Sequence, residues 1–197
     1  MNVMILIDSF KGSMTSMEAG NAAKDGILRV HPDANVTVRP LADGGEGTTD
    51  ALIEGLGGEK IELSVTGPMG TPVNAYYGVL ADKTTAVMEM AQAAGITLVD
   101  ADKKNPGVAT TYGVGEMIKD AVERGCRKFI IGIGGSATND GGIGMLKALG
   151  VKFLTKDGED AGEGADALGK IHFVSLEHLM PELKECDFQI ACDVNNP

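Results

Sequence analysis

A glycine-rich segment, residues 132–142, separates an apolar run from a stretch with helical periodicity. It follows the apolar residues 129–131 and precedes a helical pattern at 143–149. A turn of this composition between a strand and a helix gathers backbone N–H groups, hydroxyls and a helix N-terminus at one point. That geometry favours bound anions, phosphate above all, so the segment predicts a ligand site within a strand–turn–helix unit.

Alternating strand and helix patterns predict an α/β fold with a parallel sheet. Strands are expected at 3–7, 36–41 and 127–133, each followed by a helical pattern. The short continuous apolar run at 3–7 is typical of a strand that is buried on both faces. The polar, Gly-rich stretch 156–169 predicts an exposed loop, and 173–183 has weak helical periodicity.

The middle of the chain follows a different pattern. Residues 60–66, 73–80 and 85–90 have the composition of strands, and the links between them are short. Strands joined so closely are not parallel neighbours, so an antiparallel meander is expected in a second, smaller region.

Charge and aromatic content argue against a nucleic-acid partner. The net charge is −11, Lys and Arg are scattered, and the chain has no Trp, three Tyr and five Phe. The cysteines, Cys126, Cys186 and Cys192, form no C-x-x-C pair, which favours reduced thiols in a cytoplasmic protein. The N-terminal apolar run ends at Asp8, too early for a signal peptide or a membrane span, so no membrane partner is expected.

Four polar loops lie at the carboxyl ends of predicted strands, where open α/β sheets bind ligands. Their polar and glycine residues are Asp8, Ser9 and Lys11 in the first, Asp43, Gly44, Gly45 and Glu46 in the second, Gly134, Gly135, Ser136, Thr138 and Asn139 in the third, and Asp193 in the last. Carboxylates hold Mg²⁺, a cation and backbone donors neutralise phosphates, and a carboxylate orients or deprotonates the attacking hydroxyl. The combination predicts phosphoryl transfer.

Several of these residues also have a purely structural interpretation. Asp8 and Asp193 fit turn caps as well as they fit a site. Asp140 is interpreted first as the N-cap of its helix, and Thr110 and Thr111 are interpreted in the same way.

Two further stretches match short nucleotide-binding motifs. Residues 132–137 match the dinucleotide fingerprint G-x-G-x-x-A, and a nicotinamide-dependent oxidoreductase is therefore the alternative function. The nearest candidate for its ribose-binding acid is Asp157, which lies in a hydrophilic Gly-rich stretch. Residues 164–170 match the Walker A spacing as far as Lys, but Ile171 replaces the required Ser or Thr and no strand precedes them, so this match is rejected.

Six separated motifs together are similar in order and spacing to one family. They lie at 8–13, 40–48, 89–95, 110–116, 132–142 and 192–197. On these motifs the chain, over its whole length, resembles the N-terminal half of the bacterial glycerate kinases of the type I family.

The resemblance implies an ATP-dependent transfer of phosphate to D-glycerate, with 2-phosphoglycerate as the favoured product, in glyoxylate and sugar-acid breakdown. ATP and Mg²⁺ are the implied cofactors, and D-glycerate and ATP the small-molecule partners. It also implies two α/β domains with the active site in the cleft between them, one of them flavodoxin-like with an α/β/α arrangement. The expected division is 1–58 and 100–150 for the flavodoxin-like part, and 59–99 and 151–197 for the β-rich part with the meander.

The charged candidates receive hypothetical roles in this reaction. Lys11 neutralises charge on the transferring phosphoryl group, and Asp43 or Glu46 helps hold Mg²⁺. Asp193 or Asp8 orients the glycerate hydroxyl or accepts its proton.

The remaining candidates bind an anionic group, which is either an ATP phosphate or the glycerate carboxylate. The backbone of Gly134, Gly135 and Ser136 and the N-terminus of the following helix are expected to hold it. The rest of this binding set is Ser9, Gly44, Gly45, Thr138 and Asn139.

The resemblance also carries an expectation about length. Family members continue for about as many residues again, and residue 197 falls inside a motif that runs on in the family, so the chain is expected to be cut. A non-catalytic lobe is therefore a third interpretation. The oligomeric state, and the lobe that binds ATP, are left open.

Overall fold

The computed structural model describes residues 1–8, 10, 13–41, 45 and 47–192. The strands are β1 Asn2–Ile7, β2 Asn35–Pro40, β3 Gly58–Thr66, β4 Pro72–Leu80, β5 Thr85–Glu89, β6 Lys128–Gly132, β7 Lys152–Leu154, β8 Phe173–Ser175 and β9 Asp187–Ala191. The α-helices are α1 Ser16–Val30, α2 Thr48–Leu56, α3 Ala91–Ala94, α4 Tyr112–Glu123, α5 Ile143–Ala148 and α6 Ala165–Leu168. Two 3₁₀ helices cover Ile96–Leu98 and Pro181–Glu185.

The largest sheet has the strand order β3-β4-β5-β6-β9. Its first part, β3-β4-β5, is antiparallel, whereas β5, β6 and β9 run parallel. β1 and β2 form a separate parallel pair, and β7 and β8 an antiparallel pair. The predicted α/β class and the antiparallel meander are therefore confirmed.

The ranges 59–99, 100–150 and 151–197 all contribute strands to the large sheet. β6 pairs with β5 on one side and with β9 on the other. The division of the chain into a flavodoxin-like part and a β-rich part stays a prediction.

The expectation that β1 is buried on both faces is wrong. Helix α1 packs against β1 and β2, where Gly20 lies close to Ile7 and Val38. The other face is open to solvent, since Met4 and Leu6 are 64% and 55% exposed. The apolar run at 3–7 therefore belongs to a strand of which the described residues cover only one face.

Two predictions in the last third of the chain are also wrong. The stretch 156–169 contains helix α6 and the buried residues Ala161 and Ala167, which pack with Phe153. The stretch 173–183 begins with strand β8, which pairs with β7. Contacts between distant segments stabilise these elements, so the local periodicity did not reveal them.

Helix α4 packs unusually close to its neighbours through glycine. A Cβ atom at Gly115 would collide with the carbonyl oxygen of Met145 in α5, and one at Gly113 would collide with the carbonyl oxygen of Thr66 in β3. The apolar face of α4, with Met117 and Ile118, lies against the sheet in the main hydrophobic core.

Among the described helices, none is both long enough and apolar enough to cross a lipid bilayer.

We expect Gly115→Ala to destabilise the chain by about 2 kcal/mol or more, because backbone has to move to admit the methyl group. Gly26→Ala in α1 is the matched control, since a Cβ there meets nothing within 4 Å. Alanine at that helix-interior position should raise the free energy of unfolding by about 0.5–1 kcal/mol. Chemical unfolding of both variants measures the difference, and equal stability of the two would contradict the close α4–α5 packing.

Candidate functional site

Three parallel strand ends lie side by side at one edge of the large sheet. Glu89 at the end of β5 is in register with Gly132 at the end of β6, and Gly132 is in register with Ala191 of β9. The ends of β6 and β9, each of which precedes a candidate segment in the sequence, therefore lie next to each other. Parallel sheets bind ligands at this edge.

Glu89 connects this edge to the loop after β2. It is 2% exposed, and its carboxylate accepts hydrogen bonds from the backbone N–H of Thr49 at 2.8 Å and of Gly47 at 3.2 Å. These bonds fix the start of helix α2 at the end of β5. The described part of the second candidate loop, Gly45 and Gly47, is thereby placed near the segment after β6.

The sequence interpretation gave Glu89 no role beyond membership of a family motif. The signal available was a carboxylate that ends an otherwise apolar strand, residues 85–89, all of which are buried. Burial raises the pKa of the Glu89 carboxyl above its ordinary value, while the hydrogen bonds from Thr49 and Gly47 act in the opposite direction. Both carboxylate oxygens already accept backbone N–H groups, which makes Glu89 a support for the loop.

The segment after β6 presents its backbone to solvent. Gly134 and Gly135 are exposed, and Gly135 adopts a positive φ of 73°. The loop is anchored by hydrogen bonds from Ile96 N to Gly135 O, 2.9 Å, and from Ala137 N to Ala94 O, 2.8 Å. Within the described parts of the chain, the N–H groups of Gly134, Gly135 and Ser136 have no acceptor.

The polar side chains of this loop bond to one another. The hydroxyls of Ser136 and Thr138 are 2.7 Å apart, and the Ser136 hydroxyl also accepts the backbone N–H of Thr138 at 3.0 Å. Asn139, the next residue, is exposed. The loop therefore offers a run of N–H groups that bond to no described residue, beside two hydroxyls.

Asp140 joins the beginnings of α4 and α5. Its side chain is almost completely buried, and it accepts the backbone N–H and the hydroxyl of Thr111 at 2.9 and 2.8 Å. It also accepts the N–H groups of Gly142 at 3.0 Å and Gly144 at 3.1 Å. The interpretation of Asp140 as the N-cap is wrong, because Gly142 occupies the N-cap position of α5, but Asp140 still has a structural role at the start of this helix.

The expectation that the following helix N-terminus holds the anion is wrong. Helix α5 begins at Ile143, several residues beyond Ser136, and its first amides already have partners. Gly144 N donates to Asp140, and Met145 N donates to the Thr111 hydroxyl at 2.9 Å. A buried carboxylate of the protein occupies the place that a ligand anion would need.

A cavity of about 410 Å³ lies at the end of β1, and Asp8 and Gly47 both line it. Ser16 holds the two strand ends that frame it, because its hydroxyl donates to Ile7 O at 2.6 Å and accepts Leu41 N at 3.3 Å. Asp8 of the first loop and Gly47 of the second thus face a common space.

Six predicted site residues lie outside the described part of the chain. They are Ser9, Lys11, Asp43, Gly44, Glu46 and Asp193. The predicted Mg²⁺ ligands Asp43 and Glu46 are among them. Among the residues that the structure does describe, no three His, Cys, Asp or Glu side chains are grouped so as to hold a metal ion.

Comparison with known proteins adds an independent line of observation. A family model described as "Glycerate kinase family" matches residues 3–197. The chain is 46% identical over 197 residues to the glycerate kinase of Haemophilus influenzae, covering 100% of this chain and 52% of that protein. It is 45% identical over 197 residues to the glycerate 2-kinase of Escherichia coli, again covering 100% of this chain and 52% of that protein.

A solved structure gives the same result for the fold. The crystal structure of a protein described as glycerate kinase 2, from Salmonella typhimurium LT2, superposes with a TM-score of 0.90 at 41% identity. The match covers 100% of this chain and 53% of that chain. The chain therefore spans about half the length of the relatives it matches.

The buried Glu89 generates a pH-dependent prediction. Its folded-state pKa is raised, so the ionised side chain costs stability above that pKa, and the cost is relieved as the pH falls through it. In Glu89→Gln this cost is absent at every pH. The stability of the variant relative to the parent chain should therefore increase as the pH rises from about 4 to about 8.

Chemical unfolding of both proteins across that pH range measures this difference. Glu62→Gln serves as the control, because Glu62 is an exposed carboxyl on β3. A difference between Glu89→Gln and the parent that stays constant with pH would contradict the raised pKa.

Proposed function

Since the chain belongs to the glycerate kinase family, we propose that its strand-end site takes part in ATP-dependent phosphorylation of D-glycerate. The product is 2-phosphoglycerate, within glyoxylate and sugar-acid metabolism. The Escherichia coli relative is described as a glycerate 2-kinase, which supports this product.

One observation carries the proposal. The N–H groups of Gly134, Gly135 and Ser136 are unpaired among the described residues, in a loop that other contacts hold in place. Consecutive amides near a left-handed glycine form a concave anion-binding arrangement. This loop binds an ATP phosphate or the glycerate carboxylate, with Thr138 and Asn139 beside it.

The loops around this anion site supply the charged groups of the reaction. Lys11 neutralises charge on the phosphoryl group that is transferred, and Asp193 or Asp8 orients the glycerate hydroxyl or accepts its proton. Asp8 lines a cavity together with Gly47, whose N–H is bonded to Glu89 at the end of β5. This connection supports the assignment of the first two loops to the same site as residues 134–136.

Asp43 or Glu46 would hold Mg²⁺, which, when bound, neutralises negative charge on the phosphates. Glu89 is assigned to the support of the neighbouring loop, since its oxygens accept the N–H groups of Thr49 and Gly47. Ser9, Gly44 and Gly45 complete the substrate-binding set. Location in the cytoplasm belongs to the same proposal, and a sequence with only three cysteines and no C-x-x-C pair supports it.

The nicotinamide alternative lacks the geometry that its motif requires. In that fingerprint a helix starts directly at the glycine turn, and its N-terminus receives the pyrophosphate. Here α5 starts only at Ile143, and Asp140 already bonds to its amides. The candidate acid Asp157 follows β7, which pairs with β8 and lies outside the large sheet. These observations favour the kinase.

A coupled ADP-release assay with D-glycerate and ATP–Mg²⁺ tests the proposal. It is run on this chain, and on a chimera in which the unmatched part of the Escherichia coli relative follows residue 197. Phosphorus NMR of the product then distinguishes 2- from 3-phosphoglycerate. Absence of D-glycerate-dependent ADP release from both proteins would overturn the proposal in favour of a non-catalytic lobe.

In whichever of these proteins is active, Lys11→Ala and Asp193→Asn should each lower kcat by about 100-fold or more, with much smaller changes in KM. The groups they remove act on charge and on a proton that develop in the transition state. Lys152→Ala and Asp187→Asn are the matched controls, since both residues are exposed. Asp187 begins β9, at the opposite end of that strand from the site edge, and Lys152 begins β7, which lies outside the large sheet. Turnover close to that of the parent in both site variants would refute the two assignments.

A further inference from the structure

We propose that Lys104 binds the carboxylate of D-glycerate, with the side chains of Asn105 and Thr138 beside it. All three residues line a cavity of about 260 Å³ next to the glycine segment, called here the Lys104 cavity. The inference rests on the proposed function, and it assigns this cavity to the acid substrate and not to ATP. The sequence interpretation gave Lys104 and Asn105 no role.

The Lys104 cavity carries a positive charge without a negative one. Among its described lining residues, Lys104 is the only one with a charged side chain. It forms no ion pair with any described residue, although the chain has a net charge of −11. In the cavity between β3 and α4, by contrast, Lys119 is accompanied by three acidic lining residues. They are Glu116, Asp120 and Glu123. The Lys104 cavity therefore attracts an anion that no described side chain supplies.

Neutral hydrogen-bond donors accompany the charge. The Asn105 Oδ1 atom accepts the backbone N–H of Gly107 at 3.0 Å, so the Nδ2 group of the side chain is left to donate. The hydroxyls of Ser136 and Thr138 are 2.7 Å apart, and when Ser136 donates in this pair the Thr138 proton is left for a ligand. An ammonium, an amide and a hydroxyl together suit a carboxylate, whose two oxygens only accept.

The turn that carries Lys104 and Asn105 is held by contacts within the protein. The carbonyl oxygen of Asn105 accepts the N–H of Ala109 at 3.1 Å, and that of Gly107 accepts the N–H of Asp166 at 2.9 Å. A Cβ atom at Gly164 would collide with the same Gly107 oxygen, so the turn packs tightly against the start of α6. A turn fixed in this way positions its donors before the substrate arrives, which lowers the cost of binding.

The size of the cavity favours glycerate over ATP. Pockets for drug-sized ligands measure about 300–1,000 Å³, and the Lys104 cavity, at about 260 Å³, lies below that range. A three-carbon acid is much smaller than a nucleotide. Apolar side chains of Met69, Ile96 and Val99 complete the lining, and an apolar surround strengthens the attraction between an ammonium and a carboxylate. Ser136 belongs both to this lining and to the run of amides at 134–136, so glycerate bound here lies beside that run.

Steady-state kinetics of Lys104→Met test the inference, in whichever protein of the coupled assay is active. We expect the KM for D-glycerate to rise about tenfold or more, because a charge-assisted bond to the carboxylate is lost. The bond is present in the ground state and in the transition state alike, so kcat and the KM for ATP should change by less than about twofold. Lys104→Arg keeps the charge and should hold the KM for D-glycerate within about threefold of the parent value.

Lys103→Met is the matched control. It removes the same charge one residue earlier in the chain, from an exposed lysine that pairs with Asp100 at 2.6 Å and does not line the cavity. Its KM for D-glycerate should stay within about twofold of the parent value, because a distant exposed charge is screened by salt. Calorimetric titration of D-glycerate in the absence of ATP measures binding without turnover, and circular dichroism verifies that each variant folds.

Four outcomes overturn the inference. If the parent binds or phosphorylates D-glycerate and Lys104→Met does so equally well, the inference fails and the proposed function stands. The same holds if Lys103→Met weakens binding as much as Lys104→Met, or if the KM for ATP rises in place of that for D-glycerate. If the parent neither binds nor phosphorylates D-glycerate, the inference and the proposed function fail together.

Discussion

The arrangement of the proposed site depends on the hydrogen bonds of the Asp140 carboxylate, which is buried between α4 and α5. It accepts hydrogen bonds from the starts of both helices, through Thr111 and Gly144, and the glycines at 115 and 144 leave no room for side chains between the packed segments. The loop that precedes Asp140 is therefore held at β6 on one side and at the helix pair on the other. Its exposed amides are positioned before any ligand arrives, which lowers the cost of binding an anion.

Two buried acids, Asp140 and Glu89, fix the backbone around the site. Asp140 accepts four hydrogen bonds, from Thr111, Gly142 and Gly144. Glu89 accepts two, from the backbone of Thr49 and Gly47 in the loop before α2. The reactive charges of the proposed reaction are assigned to Lys11, Asp43 and Asp193, which follow predicted strands in the sequence.

The parts of the fold predicted from the sequence were those determined by local patterns. The meander followed from apolar runs with short links, and the α/β class from the alternation of strand and helix patterns. Strand β8 was missed because pairing with β7 stabilises it. The role of Glu89 was missed because its partners lie about forty residues earlier in the chain. The glycine segment was identified, but the hydrogen bonds of Asp140, which exclude the helix end as an anion site, depend on tertiary contacts.

The central claim is that the amides of residues 134–136, and not the N-terminus of α5, bind the anionic group. NMR titrations of the ¹⁵N-labelled chain with ATP–Mg²⁺ and, separately, with D-glycerate test it most directly, because they report on each amide separately. The account predicts saturable shifts at Gly134, Gly135 and Ser136 with one of the two ligands, while Gly144 and Met145 stay unchanged in their bonds to Asp140 and Thr111. Saturable shifts centred on Gly144 and Met145, or no shifts at residues 134–136 with either ligand, would contradict it.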